Sequence, residues 1–501
     1  MNQINHRNYI AFLIIFLFLN IKLIATNTFN IMEYGAKNDT NIVSTKQIQA
    51  AVDDCAKQGG GQIYFPPGNY TSGSIVLKKN VGIYLEAGAT LFASRDTLDY
   101  SVSQDNSGDV IPVLIYAKGV NNISITGKGV INGRAQHIKG LPVKVDNFIC
   151  NITENAQKSG VDMKRWFHVK PFVCLVYLEN CNFVTVRDIT LRESQFWTLH
   201  ARWSDHLFID NVFIYSSLDR GINADGLDID GCRNVVISNS IIETGDDAIV
   251  LKTTLMKGES RSCENVTVTN CILSSSSAAL KLGTESHADF RYITFTNCVI
   301  RNSNRGLSII IRDGASAENI QFSNIQIECN RRHYNWWGNG DPFWLVVLKR
   351  NADSKVGTIR NVSFSNITAL ARGTSKIEGF QNAPLENIHF DNVKIKMMSE
   401  DYTDKRCHDA FQAHDVRNLN LNNFTINWDK SQTEPKWRDT FSFYNIDRLN
   451  LQQVNGEVSL NQNSCFIRLD KVNNATLQNI RSDAPKTNII KKVNCNTILV
   501  Q

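Results

Sequence analysis

No two cysteines in this sequence are spaced as a CxxC pair, and no cysteine–histidine cluster has zinc spacing. A structural metal is therefore not expected, nor any other cofactor. There is no large charge imbalance either: 53 basic residues face 48 acidic ones, for a net charge of +5. No basic run carries interleaved aromatics, so no nucleic-acid partner is expected, and the small excess reads as a mixed, solvated surface. Long apolar runs are missing too, with one exception. Ile10–Leu19 is uninterrupted, follows His6 and Arg7, and leads to Ile24-Ala25-Thr26. It is too short to span a bilayer comfortably. A basic start, a short apolar stretch and a small residue describe a secretory signal peptide, residues 1–25. A retained anchor is the alternative. The expectation is an exported protein, periplasmic or secreted, with residues 26–501 as one monomeric domain and no stable membrane association. Export would permit disulfides among the twelve cysteines. Cys181, Cys232, Cys271 and Cys298, however, recur in a repeated phrase, which predicts one row of mostly free, buried thiols with at most one or two bridges.

What is present is a repeat. HLFIDNVFI begins at His206, RNVVISNSII at Arg233, ENVTVTNCIL at Glu264 and RYITFTNCVI at Arg291. ENIQFSNIQI, RNVSFSNITA, ENIHFDNVKI and RNLNLNNFTI follow from Glu318, Arg360, Glu386 and Arg417. Each copy is an alternating strand, an asparagine and a second short strand. The asparagines are Asn211, Asn239, Asn270, Asn297, Asn324, Asn366, Asn392 and Asn423, spaced by 28, 31, 27, 27, 42, 26 and 31 residues. That period, without intervening amphipathic helices, predicts an all-β fold: a single-domain, right-handed parallel β-helix. Asparagine tolerates the left-handed conformation of a tight bend, so these residues should form a ladder. They are read as structural, and the N-x-[ST] triplets they create are poor signs of glycosylation. Ser44 with Gln47 reads as a capping box, and residues 44–58 as a helix capping the first coil. Departures from the repeat at 134–170 and 330–345 read as projecting loops.

One acidic cluster stands apart. GINADGLDIDGC carries Asp225, Asp228 and Asp230, and ETGDDAIVLK carries Asp246 and Asp247. The step from Asp225 to Asp246 is 21 residues, close to one coil, which sets Asp225 about 5 Å from the pair. Crowded carboxylates cannot all ionise easily, so one should hold a proton near neutrality. A protonated acid beside an ionised base is what hydrolysis of a glycosidic bond requires. Both members of the pair can serve one cleft only if the backbone bends, which Gly245 permits. A structural bend or a calcium site is the alternative reading of the spacing alone.

At these residues the sequence resembles the polygalacturonase-type glycoside hydrolases, family 28. The resemblance covers nearly all the mature chain, from EYGAKND and AGAT through SQFWTLH. Asn223-Ala-Asp225 matches the family's Asn-x-Asp motif, and Gly245-Asp246-Asp247 its Gly-Asp-Asp motif. The resemblance implies a pectin-lyase-like solenoid and hydrolysis with inversion of configuration. It implies Asp246 as the general acid, Asp225 and Asp247 as the pair activating water, and Asn223, Lys252 and His200 in the cleft. It is nearest to an exo-acting, pectin-degrading bacterial subgroup sharing GDDAIxLK and KxGTES. Two motifs depart. Ser277-Ala278-Ala279 stands where Gly-His-Gly is expected, and Ser308-Ile309-Ile310 where Arg-Ile-Lys is expected. Replacement contacts are expected from Lys281, Glu285 and Arg312, and sugar stacking from Trp336 and Trp337 in HYNWWGNGDPFW; Trp197 reads as cleft or core. The implied substrate is an α-linked galacturonic-acid polysaccharide or oligosaccharide from pectin. The alternatives are a rhamnogalacturonan or neutral-sugar hydrolase, a lyase on the same fold, or a non-catalytic carbohydrate-binding protein.

Overall fold

The chain winds into a parallel β-helix, seen in a computed structural model that describes residues 27–501 except 107–108, 141–153, 155, 163, 332–337, 381–382 and 462. The segment read as a signal peptide lies outside the described residues, as do Trp336 and Trp337. Among the described residues, no helix is long and apolar enough to cross a membrane.

Each coil holds three short strands. Leu227–Asp230, Arg233–Ser238 and Ile241–Thr244 make one coil, and Ile249–Thr253, Cys263–Thr269 and Ile272–Ser275 lie beside them in the next, all parallel. Alternating residues point inward, as the buried–exposed pattern of Cys263–Thr269 shows. Inward side chains of successive coils stack. Phe295, Phe322, Phe364 and Phe390 lie ring on ring, with centroids 4.8, 5.0 and 4.6 Å apart. That is the strand spacing itself.

The asparagine ladder is present, with Asn211 through Asn423 all in the left-handed region. Their amides bond from coil to coil, Asn366 donating to Asn324 at 3.0 Å and Asn392 to Asn366 at 2.8 Å. A second ladder runs along the other bend, unexpected from the sequence. Asn234, Asn265, Asn319, Asn361, Asn387 and Asn418 also have positive φ, and Asn387 donates to Asn361 at 2.9 Å.

The cysteines correct a detail of the reading. They form two rows. Cys181, Ser204, Cys232 and Cys263 share one, in which the Ser204 amide donates to Cys232 Sγ. Cys271 and Cys298 share another. Among the described residues every cysteine is a free thiol, and all but Cys495 are buried.

Helix α1, Thr45–Lys57, buries Ile48, Ala51, Val52 and Cys55 over the first coil. Ser44 is its N-cap residue, but its side chain makes no capping bond. The hydroxyl instead accepts from the Lys37 amide at 3.0 Å, so the expected capping box does not form.

Candidate active site

Six strands stacked in one ladder build the floor of the site: β1 (Leu199–Arg202), β2 (Leu227–Asp230), β3 (Ile249–Thr253), β4 (Ala278–Ser286), β5 (Arg305–Ile311) and β6 (Asp341–Val347). Their leucines and isoleucines face the core. Between them, His200, Asp228, Val250, Lys281, Ser308 and Trp344 occupy one row across the ladder.

Asp225, Asp246 and Asp247 come from the turns just before β2 and β3. Asp225 and Asp247 occupy equivalent positions of adjacent coils, joined by the Gly226 amide donating to the Asp247 carbonyl at 2.9 Å. Hydroxyl groups shape the bend that brings Asp246 to the same side. Thr244 and Ser275 both donate to the Asp246 carbonyl at 2.7 Å. Ser216 Oγ donates to the Ala224 carbonyl and accepts from the Gly245 amide, tying the two catalytic turns together. Gly245 is needed for a different reason from the one its sequence position suggested. It is absent from the left-handed glycines. Its backbone instead packs on Gly221, and a Cβ there would meet the Gly221 carbonyl oxygen at 2.4 Å.

One oxygen of each of the three carboxylates lies within 4.8 Å of the others. A divalent cation could bridge such a group. Two ammonium groups supply positive charge here. Lys281 Nζ sits 2.5 Å from Asp247 Oδ2, whose other oxygen accepts from the Ala278 amide at 3.1 Å. Lys252 Nζ lies 3.6 Å from Asp225, 3.4 Å from Asp228 and 3.4 Å from Glu285, with Trp197 beneath it at 4.0 Å. Asp246 accepts from the amides of Asn223 at 3.2 Å and Asp247 at 3.0 Å.

The acids outnumber the bases, and the three aspartates are buried. Burial, then the Asp247 charge, pushes Asp246 up to about 6. Burial, then the charges of Asp228 and Asp246, holds Asp225 well above the carboxylate range. Burial likewise raises Asp228, which is fully enclosed, and Lys252, 3.4 Å away, offsets it only in part. Glu285 goes the other way. Although its burial favours the neutral form, Lys252 and then Arg350 hold it ionised, below the carboxylate range.

The remaining expected residues divide. Asn223 adopts φ 58 with its side chain exposed beside Asp246. Lys252, Lys281 and Glu285 join the cluster. His200 is 0% exposed, bonded to Gln104 at 2.7 Å and Asp230 at 3.2 Å, with Trp197 edge-on to it. Burial also pulls its pKa down to about 4, so it stays neutral. Arg312 lies just past the end of β5, where its amide donates to Ser286 Oγ at 2.8 Å. The guanidinium of Arg350 meets Glu285 at 3.5 Å. Arg350 and Arg305 went unnoticed in the sequence, because only the coil register links them to Glu285 and Asp247.

A hairpin within the 134–170 departure, His137–Gly140 with Arg165–His168, walls this edge. His168 bonds the Ile222 carbonyl beside Asn223, and Trp166, Phe196, Ile222 and Asn223 help line a 160 Å³ cavity there. The same loop continues to Ser159, whose carbonyl accepts from Thr403 Oγ at 2.8 Å. Ladder pairing puts the coils that emit these two loops about eight steps apart, roughly 38 Å.

Residues 55–414 match the family model "Glycosyl hydrolases family 28". Among curated relatives, a probable polygalacturonase of Vitis vinifera is 25% identical over 240 residues, 44% of either chain. An exo-poly-alpha-D-galacturonosidase of Dickeya chrysanthemi is 28% identical over 251 residues, 44% of this chain and 41% of its own. The chain thus spans less than half the length of these relatives. Among solved structures, an exopolygalacturonase of Thermotoga maritima superposes with a TM-score of 0.60 at 23% identity, covering 74% of this chain and 87% of its own. A family 28 exopolygalacturonase of Yersinia enterocolitica gives 0.62 at 21%, covering 86% and 78%. With the family model matched over most of its length, this chain belongs to glycosyl hydrolase family 28.

Proposed function

We propose that this protein is an exported, monomeric hydrolase that removes galacturonic acid from the ends of α-linked pectic chains, with inversion and without a cofactor. The observation that carries this reading is the cluster of three carboxylates, crowded enough to keep a proton and backed by Lys252 and Lys281. Asp246 is the acid. At 6% it is the most exposed of the three, and its pKa near 6 leaves it protonated in mildly acidic medium. It gives its proton to the leaving oxygen as the anomeric carbon–oxygen bond breaks. Asp225 and Asp247 take a proton from water, whose oxygen forms the new bond to that carbon. Lys252, 3.6 Å from Asp225, is the charge that favours the ionised form of Asp225. Action at chain ends is supported by the exo-acting relatives. Export rests on the apolar segment at 10–19, with residues 26–501 as the mature domain.

The carboxylate spacing favours a second reading. Inverting enzymes typically separate acid and base by about 6.5–9.5 Å, and retaining ones by about 5–5.5 Å. NMR of the first product decides between them. From trigalacturonate the proposal predicts released galacturonic acid as the β-anomer. The α-anomer as first product would mean a covalent intermediate on Asp225 or Asp247, and no hydrolysis of any pectic oligosaccharide would favour a binding protein.

The pH profile follows from the acid. Because Asp246 must be protonated, kcat/KM should fall above about pH 6. Lys281 is one of the charges that lower the Asp246 pKa. Lys281→Met should therefore move the alkaline limb to higher pH while reducing the maximum rate. A limb that stays in place would detach it from Asp246.

A further inference from the structure

The basic motifs that usually hold a uronate carboxylate are missing from their expected positions, yet a buried cation stands nearby. In the ladder, Asp247 is followed by Ala278, then Arg305, then Asp341. Only the methyl group of Ala278 intervenes between the coil of Asp247 and that of Arg305. In the neighbouring row, Lys281 is followed by Ser308 and Trp344. Arg305, Ser308 and Trp344 therefore form one patch on the floor, immediately beyond Asp247 and Lys281.

This patch is undersatisfied. Arg305 is 5% exposed and Ser308 0%. Arg305 Nε, Ser308 Oγ and Trp344 Nε1 are all buried without a hydrogen-bond partner. The nearest counter-charge to Arg305 is Asp341, 3.5 Å away from Nε. The guanidinium otherwise lies 3.2 Å from the centre of the Trp344 ring. A guanidinium offers five N–H donors in a planar fork, and burying it with so few acceptors is costly. Desolvation pulls Arg305 down to about 10, and Asp341, Asp247 and Asp246 only partly offset it. Buried orphan donors of this kind call for a missing acceptor. A planar anion with two oxygens fits a fork, and the Ser308 hydroxyl and the indole N–H are two further donors.

We propose that Arg305, with Ser308 and Trp344, is the carboxylate receptor that selects a uronic acid over a neutral sugar in the unit beside the scissile bond. The proposal rests on the hydrolase reading above. It moves the specificity contacts from the expected Glu285 and Arg312 to residues of β5 and β6. Glu285 carries the wrong charge for a carboxylate and is already engaged by Lys252 and Arg350.

The test compares kcat/KM on trigalacturonate with that on its carboxyl-reduced form. Arg305→Gln should lower the ratio of the two by between about 10- and 150-fold, the range for a lost hydrogen bond to a charged group. The loss should fall mainly on KM, and Arg305→Lys should restore only part of it, because an ammonium lacks the fork. Ser308→Ala, a small change that spares the Trp344 stack, should lower the ratio in the same direction, so the proposal stays testable should Arg305→Gln fail to fold. A ratio unchanged within about threefold in the folded variants overturns the proposal, whatever happens to melting temperature. If the wild type cleaves neither substrate, the hydrolase reading fails and takes this proposal with it; if it cleaves both equally well, the hydrolase reading stands and this proposal fails. If the wild type prefers the acid and the variants keep that preference, this proposal fails alone.

Discussion

Asp246→Asn lowers kcat on trigalacturonate by about 10³- to 10⁴-fold, the upper range for loss of a general acid, and leaves the protein folded. The amide has nearly the shape of the carboxyl and keeps an oxygen for one of the two backbone donors, Asn223 and Asp247, which bond different oxygens of Asp246. What disappears is the proton. The substitution also removes one negative charge from a cluster in which Asp225 and Asp228 are held above their ordinary range. Stability should therefore hold or rise, as it does when an active site's strain is relieved. Steady-state kinetics with a denaturation curve checks both halves. A variant with most of its activity would remove Asp246 from the acid role.

Gly245→Ala costs about 100-fold in kcat/KM without touching a reacting group. A Cβ at this position meets the carbonyl oxygen of Gly221 at 2.4 Å and its carbonyl carbon and Cα at 2.5 Å. All three are backbone atoms, so the 216–226 turn must move. That turn carries Asn223 and Asp225, and Ser216 ties it to the Gly245 amide at 3.0 Å. Displacing catalytic groups by about 1 Å can cost 10²-fold, and forcing extra volume into a packed site costs about 1–3 kcal/mol. Kinetics and urea unfolding on the same sample check the pair of effects. Wild-type kinetics in Gly245→Ala would show that the contact between the two turns does not set the geometry of the aspartates.

The coil and the acidic trio were legible for the same reason. A strand–asparagine–strand phrase repeated at one-coil spacing fixes inward and outward faces, and a 21-residue step within that repeat puts Asp225 beside the pair at 246 and 247. The second asparagine ladder escaped notice because Asn234 and its counterparts sit at the start of a strand phrase, and Tyr292 interrupts them. The burial of His200 was hidden too. Its partner Gln104 is 96 residues away and comes from a segment outside the clear repeat. Arg305 was invisible for a related reason. Its neighbours in sequence say nothing, and its meaning comes from ladder positions held by Asp247 and Ala278 in coils of unequal length. Ser44 shows the converse: a capping box present in sequence gave way when the hydroxyl found Lys37.

The central claim is that Asp225, Asp246 and Asp247 together hydrolyse a galacturonide. Its most direct test is the product pattern from hexagalacturonate, followed by chromatography for wild type and for Asp246→Asn side by side. The account predicts monomeric galacturonic acid as the first and dominant product of the wild type, no unsaturated uronate, and almost nothing from the variant. Unsaturated products, or equal turnover by both proteins, would contradict it.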